Sequence, residues 1–317
     1  MIKTEEIVKG VLTGDRRSIA KAITIIENNE PQAKDIIASI YPHTGKAHVI
    51  GLTGPGGSGK STLIEKIVRE YRQKGKTVGV IAVDPTSPFT GGAFLGDRIR
   101  MQELSTDPGV FIRSMATRNY SGGIAKATND AVKVLDASAK DVVIVETVGA
   151  GQSEVEIIKV AQTIVVIHAP GLGDDIQAIK AGLMEIADIF VVNKADRENA
   201  EKAVIDIQAM LQLNNKEKSW QIPIIKTVAL TGEGVPQLIE KLEEHREFLE
   251  KEKLLQKALL KAEVELVDAI KDKVAQSILE ELKSKGKFEE LIEKILKREI
   301  DAASAAEKLL REMLKKA

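Results

Sequence analysis

Eight consecutive residues, Gly54-Pro55-Gly56-Gly57-Ser58-Gly59-Lys60-Ser61, have the spacing of a phosphate-gripping loop. Glycines let backbone N–H groups curl around an anion, and the partial positive charge of a following helix N-terminus adds to the attraction. In such a loop the lysine reaches the β- and γ-phosphates and the serine hydroxyl ligates Mg2+. Gly54, Gly56, Gly57, Ser58, Gly59, Lys60, Ser61 and Thr62 are therefore nucleotide-binding candidates; Lys60 is also a catalytic candidate and Ser61 a metal ligand. The same letters satisfy G-x-G-x-x-G through Gly54, Gly56 and Gly59, and Asp84 ends the next apolar run, where a dinucleotide fold holds a ribose. Lys60-Ser61 decides between the two readings, because a triphosphate with its metal needs both residues and a dinucleotide loop needs neither.

A second motif, Asn193-Lys194-Ala195-Asp196, follows the apolar run Ile189–Val192. It has the N-K-x-D form whose aspartate accepts hydrogen bonds from guanine N1–H and the 2-amino group. Adenine offers neither donor there, and a mismatch of that kind costs roughly 10⁴-fold. Lys194 is expected along the base and ribose, with Asn193 bracing the loop. Val228-Ala229-Leu230-Thr231 resembles the loop whose N–H groups contact guanine O6, which adds Ala229 and Leu230 to the set.

Between these motifs, Glu146-Thr147-Val148-Gly149 stands where most GTP-binding proteins carry D-x-x-G. Gly149 can give its N–H to the γ-phosphate, and Glu146 can hold Mg2+ directly or through water. Both are catalytic candidates. Asp84 and Asp97 flank the glycine-rich stretch Thr90-Gly91-Gly92-Ala93 and, with Ser61 and Glu146, make up the metal candidates; Asp97 also reads as a plain helix N-cap. The glutamine that often orients the attacking water is replaced by Ala150, and Gln152 is displaced, so hydrolysis is expected to be slow until a partner rearranges the loops.

The elements that must position these residues are legible in the hydrophobic pattern. From 47 to 235, short β-branched runs at His48–Thr53, Val78–Val83, Val142–Glu146, Thr163–His168, Ile189–Asn193 and Ile222–Val228 alternate with helical segments, with Val110–Ile112 a further short strand. Apolar runs with little alternation mean strands covered on both faces, hence an α/β fold: a mainly parallel central sheet sandwiched by helices, the P-loop NTPase arrangement. Residues 1–46 read as a peripheral helical extension broken at Asn28-Asn29-Glu30-Pro31. Residues 236–317 read as a helical arm, with Leu255, Leu259, Ala262, Leu266, Ile270, Val274, Ile278 and Leu282 on one apolar stripe. That stripe fits either a tail packed on its own domain or an arm that pairs with a second copy.

Composition sets outer limits. The 317 residues carry 46 basic and 47 acidic side chains, so no overall field favours nucleic acid or a membrane surface. There is no cysteine, which excludes a disulfide framework and thiol chemistry and fits a reducing cytoplasm. No apolar run reaches the roughly 18 residues of a membrane span, and the start Met1-Ile2-Lys3-Thr4 lacks a signal-like apolar region. Aromatics, at 3%, are too few for a base-stacking platform.

Taken together, Gly54–Thr62, the run from Asp84 to Gly92, Leu95–Met101, Val145–Glu154 and Asn193–Asp196 closely resemble the MeaB/ArgK family of methylmalonyl-CoA mutase-associated GTPases. The family includes relatives of the methylmalonic aciduria type A protein. The resemblance covers nearly the whole chain. It implies a homodimeric G protein that binds an adenosylcobalamin-dependent acyl-CoA mutase, gates cofactor loading and protects or reactivates that enzyme. GTP and GDP with Mg2+ are the implied ligands. The cobalamin is expected on the partner, since D-x-H-x-x-G is absent here. Gly173–Lys180 matches an additional switch of the family, which makes Asp174, Gln177 and Lys180 candidates for relaying nucleotide state; the resemblance also tips the C-terminal arm towards dimerisation. A metallocentre-insertion GTPase, a P-loop kinase and a non-hydrolysing scaffold are the competing functions. The first usually presents cysteine and histidine clusters, and nothing marks an acceptor pocket for the second.

Overall fold

The computed structural model describes residues 3–85, 103–117, 123–147, 157–171, 185–213, 219–252, 254–284, 286–302, 304–306 and 309. It divides into two compact units, Met1–Glu252 and Lys253–Ala317. In the first unit the strands are β1 (His48–Thr53), β2 (Val78–Pro85), β3 (Val110–Thr117), β4 (Val142–Glu146), β5 (Thr163–His168), β6 (Ile189–Asn193) and β7 (Ile224–Thr227). They form one sheet in the order β3-β2-β4-β1-β5-β6-β7, and every neighbouring pair is parallel. The helices of this unit are α1 (Thr4–Leu12), α2 (Arg16–Glu27), α3 (Ala33–Ile40), α4 (Lys60–Gln73), α5 (Gly123–Ala137), α6 (Ala200–Leu213) and α7 (Val235–Glu252).

The expected parallel α/β sandwich follows from side chains that alternate between two buried faces. In β4, Val143 and Val145 enter one core while Val142 and Ile144 enter the other. On one side Leu63, Ile64 and Ile67 of α4 and Leu238, Ile239 and Leu242 of α7 pack with Ile50, Ile144 and Val165. The first unit therefore continues through Glu252, because the apolar face of α7 belongs to the same core as the phosphate-loop helix. A strand with both faces covered has no polar face to show, which is why its sequence reads as an uninterrupted apolar run.

Three strand limits differ from the sequence-based expectation, the first at β2, which runs to Pro85 and not only to Val83. β3 runs on to Thr117, because β2 offers it a continuous parallel partner from Val78 opposite Val110 to Pro85 opposite Thr117. β7 begins only after Pro223, whose ring leaves no N–H for the ladder.

The N-terminal helices are not peripheral. Ile7, Val11, Ile19, Ile23, Ile36 and Ile40 share one core with Ala131 and Leu135 of α5 and with Val143 and Val145 of the sheet. Their segment makes three helices rather than two, because the chain also turns at Thr13-Gly14-Asp15, where Asp15 caps α2 through the Ser18 N–H. Two arginines fasten them to the β3 region. Arg16 donates to the carbonyls of Ser105, Asp107 and Val110, and Arg113 pairs with Glu27 and donates to Thr24.

In the second unit, α8 (Leu254–Ser284) is followed by α9 (Lys287–Leu296). Gly286 between them has φ 65°, a left-handed conformation that separates the long helix from the next. Leu266, Ile270 and Val274 recur every fourth residue along α8 and are all exposed. No helix among the described residues is long and apolar enough to cross a membrane.

At the N-terminal edge of the sheet a buried polar chain joins β1, β5 and α7. His48 Nε2 lies 2.7 Å from Thr163 Oγ1, which lies 2.9 Å from His245 Nδ1, and His245 Nε2 lies 3.4 Å from Asp188. The Thr163 hydroxyl has one proton, so it donates to one imidazole and accepts from the other. Burial, assisted by the positive charge of Arg246, lowers the His48 pKa from 6.5 to about 3 and holds the ring neutral.

In the unfolded chain this group takes up a proton near pH 6.5. Its contribution to stability is therefore complete above that pH and is lost as the pH falls towards about 3. Urea unfolding of the wild type and of His48→Gln, compared at about pH 7.5 and about pH 5, should show the wild type losing about 2 kcal/mol more. Parallel losses in the two proteins would remove His48 as the source.

Candidate functional site

Because all seven strands are parallel, their C-terminal ends meet one edge of the sheet, the edge at which open α/β sheets bind ligands. β1 leads into Gly54, β2 ends in Asp84-Pro85, β4 in Glu146, β6 in Asn193 and β7 in Thr227. Motifs far apart in the chain are thus neighbours.

The loop after β1 holds its shape through three glycines with positive φ: 145° at Gly54, 80° at Gly57 and 90° at Gly59. At Gly54 a Cβ would stand 2.1 Å from the Ile167 carbonyl oxygen, so β5 passes too close for any side chain. Gly59 is the N-cap of α4, and a Cβ there would meet the Asn193 amide nitrogen at 2.4 Å. At Gly56 a Cβ would meet nothing within 4 Å. Ser58 is fully buried, and its hydroxyl has no hydrogen-bond partner among the described residues. Lys60 opens α4 with its stem buried and donates to the carbonyls of Gly54 (2.8 Å) and Pro55 (3.1 Å), which holds the ammonium inside the loop's curve. Thr62 follows it, half-buried, in the first turn.

Ser61 and Glu146 come together although 85 residues separate them. The Ser61 hydroxyl donates to the Glu146 carboxylate at 2.8 Å, with both residues buried. Two hard oxygen donors side by side at the foot of the phosphate loop suit Mg2+, which takes one or two protein oxygens and leaves its other positions to water and phosphate. The donor set fits the ion. Just past Glu146 the chain is pinned to β1: Thr147 N–H donates to the Leu52 carbonyl at 3.1 Å and the Thr147 hydroxyl to that of Thr53 at 3.0 Å.

Asn193 is the joint between the two nucleotide motifs. Its amide nitrogen donates to the Ser58 carbonyl at 2.8 Å, and its amide oxygen accepts from Thr227 Oγ1 and Ala229 N–H, both at 3.1 Å. Lys194, at φ 58°, lays its side chain across the phosphate loop and donates to the Gly57 carbonyl at 2.7 Å. Asp196 stands exposed within the turn that the Arg197 N–H closes on the Lys194 carbonyl, Ala229 is buried and Leu230 is exposed.

Asp84 lies in β2 opposite Ala116 in register. Asp97, Gly149, Asp174, Gln177 and Lys180 lie outside the described residues. Thr53, Thr147 and Thr227 were not singled out by sequence reasoning, because a threonine ending a strand is ordinary and only its spatial neighbours give it a role.

The family model for the methylmalonyl-CoA mutase-associated GTPase MeaB matches residues 19–284. The chain belongs to the MeaB family of GTPases. Among MeaB relatives, a Pyrococcus horikoshii protein is 55% identical over 315 residues and spans 98% of both chains. The GTPase ArgK of Escherichia coli is 36% identical over 241 residues, 74% of this chain and 73% of its own. The mouse mitochondrial homologue of the methylmalonic aciduria type A protein is 31% identical over 258 residues, covering 76% of this chain and 62% of that protein. A crystal structure described as a LAO/AO transport system kinase shares the fold, with a TM-score of 0.73 at 24% identity over 99% of each chain. This MeaB-family protein is accordingly a P-loop GTPase.

The geometry at Asn193 leads to a direct test. Asn193→Ala leaves the Ser58 carbonyl, the Thr227 hydroxyl and the Ala229 N–H without their shared partner. Urea unfolding should show a loss of about 2–4 kcal/mol. Asn193→Asp keeps both accepted bonds and turns the donated one into an oxygen–oxygen contact, so it should also be destabilised and its GDP affinity should fall. Wild-type stability in both variants would mean that the two loops are held by other contacts.

Proposed function

We propose that this GTPase acts as a nucleotide-driven chaperone of an adenosylcobalamin-dependent acyl-CoA mutase of the methylmalonyl-CoA type, gating cofactor loading and protecting or reactivating that enzyme. The family match over residues 19–284 carries the reading, since the name of that family couples the GTPase to methylmalonyl-CoA mutase. The likeness to the mouse methylmalonic aciduria type A homologue supports it. In this proposal the cobalamin resides on the mutase and the protein works in the cytoplasm as a homodimer. The exposed apolar row of Leu266, Ile270 and Val274 favours α8 as the dimerising surface.

The proposed division of labour at the site follows from its chemistry. Gly54 to Thr62 wrap the phosphates with backbone N–H groups, and Lys60 neutralises the charge that grows between the β- and γ-phosphates during transfer. Ser61 and Glu146, with Asp84 and Asp97 as further candidates, would hold Mg2+, which when bound screens the phosphate oxygens. Glu146 draws the Ser61 proton towards itself and so turns the serine lone pairs outward for a cation. Gly149 is assigned to the γ-phosphate, and Asp174, Gln177 and Lys180 to the relay towards the mutase. With Ala150 in place of a water-orienting glutamine, the isolated protein turns over slowly and the partner completes the arrangement.

For the base, Asp196 accepts from guanine N1–H and the 2-amino group, Lys194 lines the ring and Ala229 with Leu230 closes the O6 side. Asp196→Asn should weaken GTP binding by at least an order of magnitude and raise the affinity for xanthosine triphosphate, read by competition against a fluorescent GDP analogue; unchanged GTP affinity would sink the assignment. Addition of the cognate mutase should raise GTP turnover well above the isolated rate, measured as phosphate release. A flat rate in a complex verified by co-elution would reduce the role to that of a scaffold.

A further inference from the structure

We infer that Thr53 and Thr147 are positioning residues of the GTPase reaction, whose hydroxyl bridge holds the end of β4 where Glu146 faces Ser61. The inference rests on the proposed role of Glu146 and extends it to two residues that contact neither nucleotide nor metal in that scheme.

The last register pair between β1 and β4 is Leu52 opposite Glu146. Beyond it β4 leaves the sheet towards Gly149, while β1 keeps one more paired residue, Thr53 opposite Val166 of β5, before it becomes the phosphate loop at Gly54. The ladder is extended past this point by the Thr147 N–H bond to the Leu52 carbonyl, and then by the bond between the two threonine hydroxyls. Thr53 is fully buried and Thr147 is 7% exposed, so water does not compete for this bond. Such a pair is costly to break on one side, because the remaining hydroxyl stays buried without a partner.

The consequence falls on Glu146. Its carboxylate is 2.8 Å from the Ser61 hydroxyl, its backbone lies in register with Leu52 of β1 and Ala82 of β2, and the threonine bridge fixes the residue that follows it. Releasing the bridge removes the side-chain tie just past Glu146, so the end of β4 frays more readily and the carboxylate shifts relative to Ser61. A carboxylate that moves by about 1 Å ceases to support chemistry at full rate, a loss of about a hundredfold in unfavourable cases. Nucleotide affinity is less exposed, because the phosphate loop is braced separately by Asn193 and Lys194.

The test is a double-mutant cycle with Thr53→Val, Thr147→Val and the two combined, each preserving side-chain shape. Turnover of GTP is measured as a function of both GTP and Mg2+. Each single variant should lose roughly tenfold in kcat and need several-fold more Mg2+ for half-maximal rate, with KM for GTP within about twofold of wild type. Thr147→Ser, which keeps the hydroxyl, should recover most of the rate. The double variant should be no worse than the worse single one, because no hydroxyl is left orphaned. Glu146→Gln separates the two levels of argument. If Glu146→Gln lowers turnover while both threonine variants match wild type in kcat and Mg2+ dependence, the positioning inference is overturned and the role of Glu146 stands. If Glu146→Gln itself changes neither, the underlying reading of Glu146 fails.

Discussion

The central constraint on this molecule is the position of β1 between two parallel neighbours, β4 and β5. A strand that is hydrogen-bonded on both edges and buried on both faces cannot shift, so the glycine loop that leaves its end starts from a fixed point. Gly54 shows how tight that fixation is, with the Ile167 carbonyl of β5 occupying the place a Cβ would need. The same parallel arrangement sends Glu146, Asn193 and Thr227 to that edge. Their convergence is a property of the sheet, and no local sequence feature produces it.

Around this fixed point the loops are tied by few but buried contacts. Asn193 commits both ends of one amide to the two loops it joins, and the bond between Ser61 and Glu146 links the first turn of α4 to the end of β4. A change at any one of these is felt by the others, since each leaves a buried polar group unpaired. That coupling suits a protein whose loops must respond together to the presence of nucleotide. The opposite edge of the sheet is built differently: there the chain from His48 through Thr163 and His245 to Asp188 ties strands to α7.

Much of this was legible in the linear order. The phosphate loop stands out because its glycines are demanded by backbone conformation and its lysine by charge, and the strand before and helix after it confirm the context. The apolar runs mark the sheet, since strands buried on both faces have no polar alternation to obscure them. The N-terminal helices were harder. Their isoleucines mark amphipathic helices, but an apolar stripe does not say what it packs on, and here it packs on α5 and the sheet itself. The length of β3 was set by its partner in the ladder, which periodicity does not register.

The linear order of residues carried the chemistry: a loop for phosphates, a motif for guanine, a glutamate in place of the usual aspartate and a family to which they belong. These are local patterns, readable because each residue type is required by what it does to its immediate neighbours. Which of them touch was left to the folded chain. Folding placed Ser61 against Glu146 across 85 residues, made Asn193 the brace of Ser58 across 135, and paired Thr53 with Thr147 across 94. Contacts over such separations are set by strand order and register, and those depend on the whole core at once.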